Sequence, residues 1–351
     1  ALQILAFVGS GVHPPGIVLN MKPLQLYLLA LSGITFVTGL KLKETHQKAW
    51  FIPTQGSAGN LKATLGGVCT EDRYLPSSLE QNFMAHALEW TESKESLCQN
   101  LNFENRKDTW IRENMDGNLQ SGESIFSRLC KRGEAPQLLE PLAGILRSPR
   151  MICDGTSDGE VHSIDWLVLA DGAMQGPGKK ILFDAGGTHF SDAMKFFVGQ
   201  YEKRGIVFDK IYVWEATAQG LETYWSGVEP EVRQKWEPRL TFYDGIPISA
   251  DPNAEHNPVR RLLAECQPAD FCAFKLDVDT PDIENRIVEQ ILASTQAAAV
   301  LDEFFFEHHV AGLMEEHGWQ YTNGDLNSTF ADSYNMFTRL RLMGVRAHSW
   351  I

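Results

Sequence analysis

The sequence predicts an α/β protein with a doubly wound, mostly parallel sheet. Between residues 181 and 310, apolar runs of strand length alternate with segments whose apolar residues recur at helical spacing. Several of the strand-like runs end in carboxylates, and the first ends in a glycine turn, Asp-Ala-Gly-Gly at 184–187. Strands that alternate with helices favour a parallel sheet whose ligands bind at the carboxyl ends of the strands.

The first unit is a strand that ends at Asp184 and a helix with Ser191 as its candidate N-cap and Gly205 at its end. A second strand follows and ends in Glu215. A glycine turn, a helix and then an acid at the next strand end are typical of nucleotide-binding sheets.

Four residues of this unit are candidate cofactor ligands. Gly186 and Gly187 allow the backbone to approach a cofactor, and the helix start offers N–H groups. Asp184 and Glu215 add carboxylates at two neighbouring strand ends. The alternative is that Asp184 and Gly186 form a purely structural strand-to-helix turn.

The later elements continue the alternation. Residues 240–248 predict a third strand, and Asn257-Pro258 opens a short helix. Residues 270–279 predict a strand that ends in acids, and Thr280-Pro281 caps the next helix. The apolar run at 297–310 predicts a fifth strand. We therefore expect these residues along one rim of the sheet: Asp184, Glu215, Asp277, Asp279, Glu307 and His308.

Residues from about 150 to 351 resemble the FkbM-type S-adenosylmethionine-dependent methyltransferases, and more closely a group of algal proteins related to them. The matching segments are FDAGG at 183–187, RGIVFDKIYVWEA at 204–216, FKLDVD at 274–279, LDEFFFEHHV at 301–310 and DSYNMFTRLRLMGVRAHSW at 332–350.

This resemblance implies a class I methyltransferase-like fold with S-adenosylmethionine as cofactor. Asp184 and Gly186 would lie at the methionine end of the cofactor, Glu215 would bind the ribose hydroxyls, and Asp277 would border the substrate cleft. The chain departs from the family at Phe190, where the family's loop carries a further glycine. A phenylalanine there would fill the cofactor cleft.

His308 is the candidate base for O-methyl transfer to a small hydroxylated acceptor, with Glu307 or Asp277 orienting it. His309 is expected on the opposite face of the strand. The alternatives are a structural, hydrogen-bonded His308 and a helix N-terminal role for Asp277. Strand alternation also separates the histidines and glutamates of this run, so we predict no metal site.

Residues 23–40 contain no charged residue and predict a single N-terminal transmembrane helix. A signal peptide and a buried core helix are the alternatives. The lysines that follow would leave the large domain on the cytoplasmic, stromal or matrix side of the membrane, which includes organellar membranes. The expected regions are 1–48 as arm and anchor, 49–150 as a mainly helical region, and 151–351 as the α/β domain.

A net charge of −14 argues against nucleic acid as a partner. The six cysteines have no C-x-x-C spacing, so we expect reduced thiols and neither zinc nor a disulfide framework.

Two functions remain open. The first is a membrane-anchored methyltransferase-like enzyme that acts on a small molecule. The second is a catalytically inactive accessory subunit, bound to protein partners in a large photosynthetic or respiratory membrane complex. Fold alone does not distinguish them.

Overall fold

The computed structural model describes residues 69–90, 93–100, 127–134, 136–139, 177–311 and 326–350. Within these ranges no helix is long and apolar enough to cross a membrane. The predicted membrane segment at 23–40, and the whole 1–48 region, lie outside the described residues.

The described residues form nine strands and nine α-helices. The strands are β1 (Arg73–Leu75), β2 (Ser127–Cys130), β3 (Gln137–Leu139), β4 (Lys180–Ala185), β5 (Lys210–Glu215), β6 (Leu240–Asp244), β7 (Phe271–Leu276), β8 (Glu303–Phe306) and β9 (Arg346–Ser349). The helices are α1 (Ser78–Trp90), α2 (Lys94–Asn100), α3 (Lys195–Lys203), α4 (Leu221–Tyr224), α5 (Pro230–Trp236), α6 (Pro258–Glu265), α7 (Pro281–Leu292), α8 (Thr295–Val300) and α9 (Phe330–Leu342).

Six strands form the main sheet, in the order β6-β5-β4-β7-β8-β9, and every neighbouring pair is parallel. This confirms the doubly wound α/β prediction. The chain adds strands outward from β4 on one side, then returns to β7 on its other side. This reversal between β4 and β7 is the switch point where open α/β sheets bind ligands.

The central strands form because their sequences are nearly continuous apolar runs, as expected for strands covered on both faces. Five of the six residues of β4 and all six of β7 are buried. Burial in β7 includes the charged side chain of Lys275, which is 2% exposed. A charged side chain is buried in this way only when groups of opposite charge are paired with it. The carboxylates that pair with Lys275 lie at the switch point.

Helix starts follow the predicted signals in part. Asn257 caps α6, because its side chain accepts a hydrogen bond from the Arg260 N–H at 2.8 Å. Thr280 precedes α7, but its side chain makes no capping hydrogen bond. The prediction of Ser191 as an N-cap is wrong, because Ser191 lies inside a π-helical turn, Phe190–Met194, that leads into α3.

The predicted fifth strand is much shorter than the apolar run at 297–310. The first part of this run belongs to α8, which ends at Val300, and β8 covers only Glu303–Phe306. Glu307, His308 and His309 therefore lie in a loop beyond the strand end. Strand β9 was not predicted, although it completes the sheet.

The described part of the predicted helical region also contains a small antiparallel sheet, β1-β2-β3. Helix α1 starts as its sequence indicates, because Ser77 accepts a hydrogen bond from the Glu80 N–H at 3.1 Å. Helices and strands are thus both present there.

A buried polar network joins this small sheet to α9. The Glu80 carboxylate accepts hydrogen bonds from the hydroxyls of Tyr74 and Ser127. The Arg341 guanidinium lies 3.6 Å from Glu80 and donates to the Tyr74 hydroxyl at 2.9 Å and the Ala347 carbonyl at 2.9 Å. Glu80 and Arg341 are both fully buried, so neither charge has access to water. Each side chain therefore supplies the opposite charge that the other needs.

Disulfides among the described residues correct the expectation of reduced thiols. Cys69 is bonded to Cys130 across a separation of 61 residues, and Cys266 is bonded to Cys272 across a separation of six. Sequence spacing could not show these pairs, because it carries no information on which Cβ atoms the fold brings together. The first bridge fastens the segment before β1 to the end of β2.

We expect Arg341→Leu to lower the free energy of unfolding by about 3–5 kcal/mol, because it leaves the buried Glu80 carboxylate without a cation. Urea unfolding measures the loss. Arg339→Leu is the matched control, since Arg339 lies on the same helix and is exposed. Equal losses in the two variants would contradict the assigned role of Arg341.

We expect the Cys69→Ala/Cys130→Ala variant to lose about 4 kcal/mol and the Cys266→Ala/Cys272→Ala variant about 2 kcal/mol, because a bridge restrains the unfolded chain more when it closes a longer loop. Peptide mapping without reduction checks the pairing, and urea unfolding checks the order of the two losses. The reverse order, or unlinked peptides, would contradict the assignment.

Candidate functional site

The glycine turn after β4 is packed against the neighbouring strands. Gly186 has a φ of +92°, and a Cβ on it would lie 1.5 Å from the Asp277 carbonyl oxygen. A Cβ on Gly187 would lie 2.3 Å from Val213 Cγ1. Both N–H groups donate to the Trp214 carbonyl, at 3.0 and 3.1 Å. These glycines are therefore required by the sheet itself, and their N–H groups are already bonded within it.

Lys275 connects the carboxylates at the switch point. Its Nζ lies 3.3 Å from Asp184 Oδ1, 2.9 Å from Asp277 Oδ2 and 3.3 Å from the Gly186 carbonyl. Burial disfavours the charged Asp277, but the ammonium outweighs it and holds the pKa of Asp277 down at about 2. For Asp184, burial exceeds the effect of Lys275 and raises the pKa. The Lys275 ammonium thus lowers the pKa of Asp277 below its usual value but does not offset the effect of burial on Asp184.

Glu215 lies over the glycine turn. Its Oε2 accepts a hydrogen bond from the Thr188 hydroxyl at 3.1 Å, and its Oε1 accepts one from the Thr217 N–H at 2.7 Å. Gln219 closes the same loop by donating to the Thr188 carbonyl. A carboxylate offers about four acceptor positions, so Glu215 retains capacity for the two hydroxyls of a ribose.

Phe190 is part of the core beside this loop. It is 0% exposed, its ring stacks on Trp225 with centroids 4.4 Å apart, and it meets Tyr224 edge to face. The position where the resembling family has a glycine is therefore filled by an aromatic cluster. This packing explains how the departure is accommodated.

The imidazole of His309 lies close to three acidic side chains near the ends of β7 and β8. Its Nε2 lies 3.4 Å from Asp279 Oδ1 and 3.7 Å from Glu307 Oε2, and its Nδ1 lies 3.8 Å from Glu284 Oε2. Burial opposes its charge, but hydrogen bonds with Asp279 and Glu284 and the charge of Glu307 raise the pKa of His309 to about 10. In the absence of another cation, His309 is an imidazolium at neutral pH.

Glu307 and Asp277 form a carboxyl pair next to it. Burial raises the pKa of Glu307 well above its usual value, and the charge of Asp277 and a hydrogen bond to it raise the pKa further. The shift favours the protonated form of Glu307, whereas the lowered pKa of Asp277 favours its ionised form. The pKa values of the two carboxyl groups are thus displaced in opposite directions, which is the pattern seen in general acid–base pairs.

His308 lies apart from these acids. Its ring stacks on Phe306 with centroids 5.2 Å apart, and it is 4% exposed. Burial lowers the pKa of His308 to about 3, so the imidazole is neutral. Glu307 was expected to orient His308, and Asp279 was expected at the rim of the sheet. Both residues contact His309 instead. The alternation used to separate the two histidines does not extend beyond Phe306.

Other predicted groupings are divided by the structure. Glu303, considered with the histidines as a metal ligand, accepts a hydrogen bond from Arg346 at 2.6 Å and another from the Tyr201 hydroxyl. A pocket beside the edge strand β6 contains none of the predicted site residues; its lining is Leu221, Glu237, Leu240, Phe242 and Asp244.

No protein-family model, curated protein or solved structure matches this chain. The resemblance to the FkbM-type methyltransferases therefore stays a prediction.

Three residues of the site were missed in the sequence. Lys275 is signalled by a lone lysine inside the apolar run FCAFKL. Thr188 has no comparable signal, because hydroxyl residues are common in loops. The sequence does not distinguish Glu284 from the other acids of α7. Only the folded structure shows that Glu284 is 0% exposed.

We expect opposite pH dependence from the two adjacent histidines. The pKa of His309 is raised from 6.5 to about 10, so its stabilising contribution is complete below pH 6.5 and is lost as the pH rises towards 10. The pKa of His308 is lowered from 6.5 to about 3, so its contribution is present above pH 6.5 and is lost as the pH falls towards 3.

Urea unfolding of the protein, His308→Gln and His309→Gln in buffer with EDTA measures these contributions across that range. The deficit of His309→Gln shrinks on the alkaline side, and the deficit of His308→Gln shrinks on the acid side. Deficits that change in the same direction would refute this division of roles.

Proposed function

We propose that the α/β domain is a methyltransferase-like protein that binds S-adenosylmethionine at the carboxyl ends of β4 and β5. The supporting observation is the contact between the glycine turn and the acid of the next strand, where Thr188 Oγ1 lies 3.1 Å from Glu215 Oε2. A ribose-binding carboxylate is needed at this position in sheets of this strand order. Glu215 would accept hydrogen bonds from the ribose hydroxyls.

The methionine half of the cofactor fits less closely. Asp184 is 1% exposed and paired with Lys275, and the N–H groups of Gly186 and Gly187 donate to Trp214. Binding of this half would therefore require the turn to shift. Gly186 and Gly187 would contact the cofactor only after such a shift, since both are packed against the neighbouring strands.

Asp277, Glu307 and His309 would serve the acceptor side of the reaction. Methyl transfer from a sulfonium depends mainly on proximity and in-line orientation, and a hydroxyl acceptor also needs a group that takes its proton. Asp277 is ionised and its side chain is 23% exposed, so it can contact such a hydroxyl. His308, the base predicted from sequence, is neutral but enclosed.

A specific observation favours the second candidate, an accessory subunit with a methyltransferase-like fold and no activity. Phe190 fills the place of a family glycine and is fully buried against Trp225 and Tyr224. A cleft closed in this way would leave the domain as a scaffold for protein partners in a membrane assembly.

The compartment is part of the proposal. Disulfides persist in oxidising compartments and are rare where thiols are kept reduced. Cys69–Cys130 and Cys266–Cys272 thus favour a domain that folds on the lumenal or outer side of a membrane, rather than in the cytoplasm or matrix. A signal peptide, one of the alternatives for residues 23–40, agrees with this placement, whereas the predicted orientation of an anchor does not.

A thermal-shift titration of the full chain with S-adenosylmethionine tests the cofactor. Saturation at 100 times the dissociation constant should stabilise the fold by about 2.7 kcal/mol. Glu215→Gln should remove most of this gain, because the amide donates where the ribose hydroxyls need acceptors. Glu231→Gln, which changes an exposed glutamate on α5, is the control.

No stabilisation of the unaltered protein would support the accessory-subunit hypothesis. Equal stabilisation of the protein and of Glu215→Gln would remove the ribose role of Glu215.

A further inference from the structure

Three side chains beyond the ends of β7 and β8 converge on one small volume. We call Asp279, Glu307 and His309 the His309 cluster. One ligand-type atom from each lies within 4.8 Å of the other two. The imidazole Nε2 is 3.4 Å from an oxygen of Asp279 and 3.7 Å from an oxygen of Glu307.

These separations match a metal coordination shell. Two donor atoms that each lie about 2.1 Å from a tetrahedral Zn²⁺ are about 3.4 Å apart. Only small movements of the two carboxylates would therefore place all three donors on a common ion. One imidazole nitrogen and two carboxylate oxygens are a donor set that suits Zn²⁺ or Mn²⁺, whereas Ca²⁺ and Mg²⁺ prefer oxygen alone.

Glu284 supplies an independent observation on the other side of the imidazole. This residue of α7 is 0% exposed, and its Oε1 accepts the Val278 N–H at 2.8 Å. Its Oε2 is buried and lies 3.8 Å from His309 Nδ1. Histidines that bind metals almost always donate the other ring N–H to a carboxylate or carbonyl. Glu284 is placed to hold His309 with Nε2 facing the two other donors.

The surrounding charges also favour a cation. Glu284 is 0% exposed and the Glu307 side chain is 13% exposed, so both carboxyl groups are largely removed from water. Five carboxyl groups share Lys275 and His309 in this region: Asp184, Asp277, Asp279, Glu284 and Glu307. A divalent ion would add positive charge among these carboxyl groups.

An ion can reach the cluster from solvent. The Asp279 side chain is 61% exposed, whereas His309 is 2% and Glu307 13% exposed. A site with buried donors on one side and an exposed carboxylate on the other leaves coordination positions for water.

We propose that the His309 cluster binds a divalent transition-metal ion, Zn²⁺ or Mn²⁺, through His309 Nε2 and the carboxylates of Asp279 and Glu307, with Glu284 as the residue that positions His309. This site goes beyond the proposed cofactor binding and does not require S-adenosylmethionine. A cluster that is instead a set of ion pairs around an imidazolium would not bind metal.

Isothermal titration of the EDTA-treated full chain with ZnCl₂ and with MnCl₂ tests the proposal. We expect saturable binding that Asp279→Asn weakens at least about tenfold, because a neutral amide is a poorer ligand than a carboxylate. Asp279 is exposed, so the loss of its contact with His309 should lower the melting temperature of the metal-free protein only slightly. Glu307→Gln gives a second reading of the same site.

The matched control is Asp192→Asn. Asp192 Oδ2 lies 3.4 Å from His189 Nδ1, but both side chains are exposed and no third donor of the His309 cluster type accompanies them among the described residues. We expect the affinity of this variant for Zn²⁺ to equal that of the unaltered protein.

Three outcomes would overturn the proposal: no binding of either metal to the unaltered protein, unchanged affinity in both Asp279→Asn and Glu307→Gln, or an equal loss in Asp192→Asn. Each is read without S-adenosylmethionine, so failure of the metal site is distinguishable from failure of the cofactor proposal.

Discussion

The ammonium group of Lys275 is buried between the two central strands of the sheet, and the arrangement around the switch point depends on its pairing. A charged side chain can occupy such a position only if its hydrogen bonds and charge are satisfied locally. Asp184 and Asp277 supply the charge, and the Gly186 carbonyl supplies a further acceptor. The end of β4 and the end of β7 are thereby held at a fixed distance.

This pairing also shapes what the sheet can bind. In open α/β sheets the crevice at the switch point is the ligand site. Here Gly186 approaches the Asp277 backbone so closely that no Cβ would fit, and Lys275 lies beneath the contact. Polar side chains are displaced to either side, with Glu215 over the glycine turn and the His309 cluster beyond β7 and β8. The carboxylate proposed to bind the ribose, Glu215, is not a member of the His309 cluster, so cofactor binding and metal binding can be tested with different variants.

The sequence predicted the parts of the fold that local rules determine. Continuous apolar runs gave β4, β5 and β7, and Asn257-Pro258 gave the start of α6. Residues that depend on distant partners were missed. The partners of His309 were not predicted, because this residue lies in a loop beyond Phe306, where strand alternation no longer applies. The two disulfides and the partners of Lys275 follow from tertiary proximity, which spacing along the chain does not encode.

The buried contact between Tyr74 and Arg341 joins residues that are 267 positions apart. During synthesis on the ribosome, the first of these segments emerges long before its partner, so Glu80 has no counter-charge until α9 has been made. The early segment must therefore remain hydrated or be held by a chaperone while the parallel sheet assembles. Synthesis of α9 would then supply the missing partner, so that Glu80 and Arg341 can be buried together.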